Sequence, residues 1–493
     1  MKMLGWRRSS EITKGELILR IVKLPRFSNR AETGGERNGL AARPPLFLLS
    51  MVFGLRRTLQ IQPEVHHMGR RTCLSLLAVL LLSLPLATRA QQPAATAQFA
   101  LHDGDTVVFY GDSITEQRQY TSDVEMYTLT RLPGRKVRFL NAGVGGDKVS
   151  GGWAGPVDLR LERDVLNAHP TVLTIMLGMN DGYYRPFDKE ILATYADGFR
   201  HILDTVQSGL PGVRITLLKP SPFDDVTRAP QWDPGYNSVM LHFGELMDQL
   251  ATERKLSVAD LNAPVTTVLA KAKQIDPVMA SGLALDRVHP GTAVHWVMAE
   301  SILKSWGAPS IVSSASIDAA KGTVLLADNA TITQLQHGKA GLSWVELDNA
   351  LPLPLAPVEV DPYLALALQA SDLTEALNQQ PLRVTGLAAG SYRLLIDEQE
   401  AGTFTAGQLD KGVNLALLET PMAEQARLVA FDNDRKNQIE NMHFSQQNNV
   451  QDVNAQALTG KLKGALDAAF ERERKDAQPV AHRYRVVANT VAH

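Results

Sequence analysis

Residues 107–116 read Val-Val-Phe-Tyr-Gly-Asp-Ser-Ile-Thr-Glu, a short apolar run that stops at a glycine and is followed by a serine. The polar segment beyond it carries apolar residues, among them Met126 and Leu129, at helical spacing. The pattern predicts a strand, a tight turn and a helix with Ser113 in its first turn. Free N–H groups and the helix dipole favour negative charge there, which suits a hydroxyl that becomes a nucleophile. Taken alone, an Asp-Ser pair before a helix is most often only an N-cap.

Composition places the chain among ordinary globular proteins. It has 493 residues, of which 44% are hydrophobic and 21% charged, enough for two or three domains. The formal net charge is -2 and the isoelectric point is about 6.7. Because no sustained basic block lies outside the N-terminal extension, we do not expect nucleic acid as a partner.

Residues 68–90 are typical of a secretory signal peptide. Arg70 and Arg71 precede an apolar core at 74–86, and small residues lead up to a predicted cleavage after Ala90. The core is too short to span a bilayer comfortably, so the mature chain should have no stable membrane span. We therefore expect a secreted or periplasmic protein, with a twin-arginine export route as one alternative.

The single cysteine of the chain, Cys73, lies inside this predicted signal peptide. A mature chain without cysteine has neither a disulfide nor a thiolate metal site. Residues 1–67 show no sustained periodicity and precede the signal, so we interpret Met68 as the true start of translation. The competing interpretation of this extension is a membrane anchor in the apolar patch at 46–55.

From about residue 101 short apolar runs alternate with amphipathic ones, which predicts an α/β fold with a parallel sheet over residues 101–309. Runs such as residues 172–177 are apolar on both faces, as a sheet covered by helices on both sides requires. The predicted strands are 106–110, 136–141, 171–177, 213–218 and 256–261. The predicted helices that follow them are 188–206, 238–254 and 292–306.

Polar and glycine-rich clusters follow four of the predicted strands, and a fifth cluster precedes the last predicted helix. Because functional loops in parallel sheets lie beyond the carboxyl ends of the strands, these clusters should meet at one edge. They occupy residues 111–113, 141–147, 178–182, 220–225 and 286–290.

The residues in these loops are suited to acyl transfer. Ser113 would be the nucleophile, and His289 would take its proton and later protonate the leaving alcohol. Asp286, three residues before His289, could hold the imidazole in the correct tautomer. Each motif alone is common in turns and caps; their order along one edge makes the combination specific.

An oxyanion also needs donors that are already in place. The backbone N–H groups of Ser113 and Gly146 and the side-chain amide of Asn180 could supply them. A glycine suits this role because it permits close backbone approach and unusual dihedral angles. Gly145 and Gly143 are alternatives to Gly146 as the donor in this loop.

Four sequence blocks together resemble the SGNH hydrolases, also called the GDSL esterase/lipase superfamily. They are Gly111-Asp112-Ser113, Gly145-Gly146-Asp147, Gly178-Met179-Asn180-Asp181 and Asp286-x-x-His289, in family order. The resemblance implies a flavodoxin-like three-layer α/β/α domain with a five-stranded parallel sheet. It also implies Ser113, Asp286 and His289 as the catalytic triad, Ser113, Gly146 and Asn180 as the oxyanion hole, and no metal or organic cofactor. The chain contains no Gly-x-Ser-x-Gly elbow, which argues against an ordinary α/β-hydrolase.

Aromatic residues near the same loops are candidates for substrate binding. Trp153, Tyr183, Tyr184 and Phe223 could stack on sugar faces or line an acyl pocket, although ordinary loop packing explains each one equally simply. His295 lies inside the last predicted helix, and we interpret it as a packing or surface residue. The remaining histidines lack ligand spacing, so no metal site is expected.

Beyond residue 309 the pattern changes. Residues 310–420 alternate as antiparallel strands do, residues 421–477 are helical, and residues 478–493 look like a polar tail. This C-terminal accessory region could cover the active-site edge, bind polysaccharide or pair two chains. We expect it first of all to pack against the catalytic domain.

The favoured function is an exported serine esterase that removes small acyl groups, such as acetyl, from carbohydrate esters. No long greasy lid segment occurs near the site, which favours a short acyl group. The alternative is a lipase, arylesterase or thioesterase that acts on longer or aromatic acyl esters. A third, less favoured interpretation is a non-catalytic carbohydrate-binding protein that keeps the fold.

Overall fold

The computed structural model describes residues 99–338, 341–357, 360–447 and 453–489. The predicted signal peptide, its cleavage position, the segment 1–67 and the apolar patch at 46–55 lie outside the described residues. The described residues belong to one compact unit. Within them, no helix combines the length and apolar character needed to cross a membrane.

The first part of the unit alternates strands and helices. In chain order its elements are β1 (Thr106–Gly111), α1 (Ser113–Glu116), α2 (Gln119–Arg131), β2 (Arg138–Gly143), β3 (Gly151–Gly152), β4 (Gly155–Pro156), α3 (Val157–Asp164), β5 (Val172–Met176), α4 (Lys189–Gly209), β6 (Arg214–Lys219), α5 (Asn237–Arg254), β7 (Ser257–Asp260), α6 (Asn262–Ile275), α7 (Pro277–Ala280) and α8 (Thr292–Ser305).

Five parallel strands form one sheet in the order β2-β1-β5-β6-β7. All five correspond to predicted strands and begin within two residues of the expected positions, which confirms the parallel α/β prediction. Helix α2 packs against α8, while α3, α4 and α5 pack against one another. Because parallel crossovers are right-handed, these two groups cover opposite faces and give the three-layer arrangement.

The strand order reverses direction between β1 and β5. Ligands of open α/β sheets bind in the crevice at this switch point, beyond the carboxyl ends of the strands. Here β1 runs into Ser113 and β5 runs into the loop that carries Asn180. Gly111 ends β1 where space is tightest, since a Cβ there would lie 2.7 Å from the carbonyl oxygen of Met176.

The expected helix after Ser113 is divided in two. Helix α1 has a single turn, and Arg118 then adopts φ +63°, a left-handed conformation that an α-helix cannot continue through. Helix α2 starts at the next residue and is almost entirely buried. The macrodipole of a four-residue helix is small, so Ser113 depends on individual amide groups more than on a dipole.

The second part of the unit carries the accessory region. Its elements are β8 (Ser314–Asp318), β9 (Thr323–Asp328), β10 (Ala330–Gly338), β11 (Gly341–Asp348), α9 (Pro362–Ala370), α10 (Leu373–Leu377), β12 (Pro381–Thr385), β13 (Ser391–Ile396), β14 (Gln399–Thr405), α11 (Ala406–Lys411), β15 (Val413–Asn414), α12 (Pro421–Gln447), α13 (Val453–Asp476) and β16 (His482–Ala488). Residues 310–420 are thus rich in strands, as expected, but they also contain three short helices.

Two sheets organise this region. One has the order β15-β12-β8-β9, and the other is antiparallel with the order β10-β11-β16-β13-β14. Helices α12 and α13 form a hairpin that packs on α2 and β2. A single cluster of buried apolar side chains runs through both parts of the unit.

The prediction of a polar tail at 478–493 is wrong. Residues His482–Ala488 form β16, which lies in the middle of the five-stranded sheet between β11 and β13. Tyr484 and Val486 are fully buried, whereas Arg483 is exposed and Arg485 is partly exposed. The alternation of arginines with apolar residues is therefore the period-two pattern of a strand with one face outward.

Candidate active site

Three side chains from two distant parts of the sequence meet above the switch point. The hydroxyl of Ser113 lies 2.8 Å from Nε2 of His289, and Nδ1 of His289 lies 2.7 Å from a carboxylate oxygen of Asp286. The carboxylate opposite Nδ1 favours the tautomer in which Nδ1 carries the proton and Nε2 accepts one from Ser113. The geometry thus brings together a hydroxyl, a base and an orienting carboxylate.

Asp286 is fixed by its own loop. Its other carboxylate oxygen accepts the backbone N–H groups of Val288 and His289 at 2.9 and 2.7 Å. Partial burial works against ionisation of Asp286, but these hydrogen bonds and that of the His289 ring outweigh it and hold the pKa of the carboxyl below its usual value. Asp286 is therefore a permanent anion beside His289 at neutral pH.

The loop after β6 clamps the segment that carries Asp286 and His289. Arg228 donates to the carbonyls of Ser281 and Leu285 at 2.5 and 2.7 Å. Arg287 adopts φ +70°; it accepts the Asp224 amide at 2.8 Å and donates to the Ala229 carbonyl at 2.9 Å. These contacts fix the segment that carries Asp286 and His289 to the loop after β6.

Candidate oxyanion donors lie on Ser113 itself and on the loop that follows β2. The backbone N–H groups of Ser113 and Gly146 make no hydrogen bond within the described part of the chain, so they remain available. Gly146 has φ +75°, and a Cβ there would meet open space. The amide of Gly143 donates to Asn141 Oδ1 at 3.0 Å and is already engaged, while Gly145 lies against Ser113 and Glu116.

The third predicted donor, Asn180, is oriented by two partners. Its Nδ2 donates to the carbonyl of Asp147 at 3.1 Å, and its Oδ1 accepts the hydroxyl of Tyr184 at 3.1 Å. Only the nitrogen can donate to a carbonyl, so the amide orientation follows from chemistry. One N–H of Asn180 is left for a ligand.

Buried carboxyls lie near Ser113. Asp112 caps α1 by accepting the Ile114 amide at 3.0 Å. Burial, reinforced by the charges of neighbouring aspartates, raises the pKa of Asp112 to about 7, and burial with Asp147 nearby raises that of Asp181 to about 7 as well. Asp147 pairs with the fully buried Arg160 at 2.9 Å. This network supports the glycine loop and the Asn180 loop from below.

His295 is a packing residue, which is one of the two interpretations that the sequence suggested. It is fully buried, accepts the Tyr120 amide at Nδ1 and donates from Nε2 to Gln117 at 3.0 Å. Burial lowers the pKa of His295 to about 3, so its ring stays neutral. It joins α8 to the start of α2 and does not touch Ser113.

The four candidate aromatic residues separate into two groups. Tyr184 and Phe223 line a cavity of about 460 Å³ that also contains Asp286, a volume suited to a small ligand. Trp153 and Tyr183 are strongly exposed and do not line that cavity. The indole of Trp153 instead donates to the Gly145 carbonyl at 2.8 Å, beside the glycine loop.

Sequence reasoning missed most of the cavity wall. The further residues that line it are Arg228, Gln231, Trp232, Tyr236, Leu285 and Arg287. A signal existed, because residues 228–236 form an aromatic and proline-containing stretch between β6 and α5, on the expected edge of the sheet. Among the described residues, no group of three His, Cys, Asp or Glu side chains could hold a metal ion.

Comparison with known proteins gives the same domain. Residues 109–297 match the GDSL-like Lipase/Acylhydrolase family. An acetylxylan esterase of Geobacillus stearothermophilus is 29% identical over 223 residues, which is 41% of this chain and 94% of that protein. The crystal structure of that organism's acetylxylan esterase Axe2 is 27% identical, with a TM-score of 0.35 over 42% of this chain and 96% of its own.

A further solved structure extends the likeness beyond the α/β domain. BT4096, a gut microbial diltiazem-metabolizing enzyme, is 27% identical with a TM-score of 0.69 and covers 80% of this chain and 100% of its own. Since 80% of the chain exceeds the α/β domain, the accessory region is part of the shared fold.

The family match, the relatives and the parallel sheet define a carboxylic ester hydrolase. Residues 109–297 are thus a GDSL-like domain of the SGNH hydrolase superfamily, and a β-rich and helical C-terminal region extends it.

Proposed function

We propose that the protein is a serine esterase with Ser113 as nucleophile, His289 as general base and acid, and Asp286 as the orienting carboxylate. The observation that carries this proposal is the unbroken chain of contacts from Ser113 Oγ through the His289 ring to Asp286, at 2.8 and 2.7 Å. Both distances are within the range required for proton transfer between a nucleophile, a base and its partner.

In the proposed reaction Ser113 attacks the ester carbonyl while its proton passes to Nε2 of His289. The negative charge that develops on the carbonyl oxygen is stabilised by the amides of Ser113 and Gly146 and the side chain of Asn180. The imidazolium, held by the Asp286 anion, then protonates the leaving alcohol. Water activated by the same imidazole hydrolyses the acyl-enzyme and restores Ser113.

We propose a carbohydrate ester with a small acyl group, such as acetyl, as the substrate. The similarity to an acetylxylan esterase supports this class. The cavity beside Asp286 supports it too, because Tyr184, Trp232 and Phe223 offer aromatic surface next to polar groups, which suits a sugar ring. Hydrolysis of longer or aromatic acyl esters is the second candidate.

The test compares Ser113→Ala with the unchanged enzyme on p-nitrophenyl esters of increasing chain length and on acetylated xylan. We expect turnover of acetyl esters by the enzyme, little turnover of long-chain esters, and a loss of about four or more powers of ten in kcat for the variant. A preference for long acyl chains would reject the carbohydrate substrate, and surviving activity in the variant would reject Ser113 as nucleophile.

We also propose that the protein is exported, on the strength of the signal-like segment at 68–90. N-terminal sequencing of the protein from its native host should find a mature chain that begins at Gln91. A peptide from residues 10–60 in the purified protein would contradict both the export signal as drawn and the start at Met68.

A further inference from the structure

Tyr184 contacts the candidate oxyanion donor and the candidate substrate cavity at the same time. Its hydroxyl donates to Oδ1 of Asn180 at 3.1 Å, and the residue lines the cavity that contains Asp286. Burial, with the charges of Asp112 and Asp286 nearby, raises the pKa of Tyr184 to about 12, so this hydroxyl keeps its proton at neutral pH. The contact to Asn180 is therefore a donation under working conditions.

The ring of Tyr184 is held by neighbours that do not take part in the proposed chemistry. Its centroid lies 5.0 Å from the ring of Tyr236 and 6.4 Å from that of Phe223. Tyr236 is itself fixed, because its hydroxyl donates to the Met179 carbonyl at 2.7 Å, one residue before Asn180. Tyr236 thus connects the aromatic rings of Tyr184 and Phe223 to the loop that carries Asn180.

The backbone supports the same arrangement. Tyr183 and Tyr184 both have φ +53°, a left-handed conformation that non-glycine residues adopt rarely and that tertiary contacts must maintain. These two left-handed residues direct the hydroxyl of Tyr184 back to the side chain of Asn180, four residues earlier.

We propose that Tyr184 is a positioning residue for the oxyanion hole: its hydroxyl fixes the amide of Asn180 with an N–H toward the ester carbonyl, while its ring forms a wall of the substrate cavity. This inference rests on the proposed function, in which Asn180 stabilises the oxyanion. The hydroxyl acts on the transition state through Asn180, whereas the ring acts on substrate binding. The two roles are therefore separable by substitution.

The test is Tyr184→Phe, assayed on p-nitrophenyl acetate and on an acetylated xylo-oligosaccharide. We expect kcat to fall about 3- to 10-fold, the usual value of one neutral hydrogen bond, with KM changed less than about 2-fold. Tyr184→Leu, which also removes the ring, should raise KM for the oligosaccharide in addition. Tyr392→Phe, which removes a hydroxyl that donates to the Ala388 carbonyl in the accessory region, is the control and should retain both constants.

A double-mutant cycle with Asn180→Ala separates the inference from the function on which it rests. Asn180→Ala alone should lower kcat about 100- to 1000-fold, and adding Tyr184→Phe should lower it no further. If Asn180→Ala has no effect, the proposed oxyanion hole fails. If Asn180→Ala lowers kcat but Tyr184→Phe leaves kcat unchanged or raises KM instead, the positioning role of Tyr184 is rejected. It is also rejected if the losses of kcat in the two single variants multiply in the double variant.

Discussion

At the scale of single residues, the buried carboxyls near Ser113 should give the stability of the protein a measurable pH dependence. Asp181 is 4% exposed and accepts the Val149 amide at 3.0 Å, while its second oxygen has no partner among the described residues. Its pKa is raised to about 7 by burial, against about 3.9 for an aspartate in an unfolded chain. Between these values the native protein holds a proton that the unfolded chain has released.

The first prediction follows from that difference. The free energy of unfolding of the wild-type protein should fall as pH rises from about 4 to about 7, by up to about 1.4 kcal/mol per pH unit for this group, and then level off. Asp181→Asn retains the acceptor for Val149 and lacks the titration, so its stability relative to wild type should increase across the same window. Urea unfolding at several pH values measures this.

Asp197→Asn, at a side chain that is 83% exposed, is the matched control and should parallel the wild type. If the free energy of unfolding of Asp181→Asn also changes in parallel with that of the wild type between pH 4 and 7, a group other than Asp181 holds the proton. Asp112, whose pKa is likewise raised to about 7, is the next group to test.

The residues of the site differ in how readily the sequence predicts them. Ser113 and Asn180 stand in short motifs after β1 and β5, which places them at one edge by the topology of parallel sheets. Asp286 and His289 stand in a short motif before α8, and the structure brings them to Ser113. Tyr184 gave no comparable signal for its contact with Asn180, because that contact depends on two consecutive residues with positive φ. Backbone conformations of this kind are set by tertiary contacts and leave no periodic pattern in the sequence.

At the scale of secondary-structure elements, β16 has the period-two pattern of a strand, but its arginines made the segment resemble a polar tail. His482, Tyr484 and Val486 point inward, and the arginines at 483 and 485 alternate with them. The ring of Tyr484 stacks on the fully buried Trp344 of β11, with centroids 5.1 Å apart. The strands of the first sheet were easier to predict, since both of its faces are covered by helices and its central strands β1 and β5 are mostly apolar and buried.

The second prediction concerns that strand. A chain that ends at residue 477 lacks the strand between β11 and β13, and it exposes Trp344 together with two unpaired strand edges. We expect it to be recovered mostly as aggregate, whereas a chain that ends at Asn489 should be soluble and active. Size-exclusion chromatography after expression of both chains measures the difference; equal soluble yields of active protein would contradict the central position of β16.

At the scale of the whole molecule, buried charges join the helical hairpin to the α/β domain. Lys436 of α12 is fully buried and forms an ion pair with Glu125 of α2, which is 2% exposed. Burial disfavours the charged lysine, but Glu125, Glu473 and Glu440 together outweigh it and raise the pKa of Lys436. Glu440 in turn accepts the Asn141 amide of β2 at 2.7 Å and pairs with Arg118 at 3.0 Å. The accessory region therefore reaches the back of the segment that carries Ser113.

The third prediction is that Lys436→Met destabilises the protein by about 3–5 kcal/mol, because it leaves buried carboxylates without their cation. Adding Glu125→Gln should recover part of that loss by removing one of the unpaired charges. Lys475→Met, at an exposed position near the end of α13, is the control and should stay within about 0.5 kcal/mol of wild type. Urea unfolding of the four proteins measures these values, and a loss below about 1 kcal/mol for Lys436→Met would show that the pair does not join the two regions.

Locating a covalent adduct tests whether Ser113 is the nucleophile of an ester hydrolase and whether His289 activates it. A fluorophosphonate probe is incubated with the protein, and the modified residue is identified by mass spectrometry of the intact chain and its peptides. We predict one adduct per chain, on Ser113, that forms at least about 100-fold more slowly in His289→Ala. An adduct on another residue, or an unlabelled Ser113 in a preparation that hydrolyses esters, would contradict this prediction.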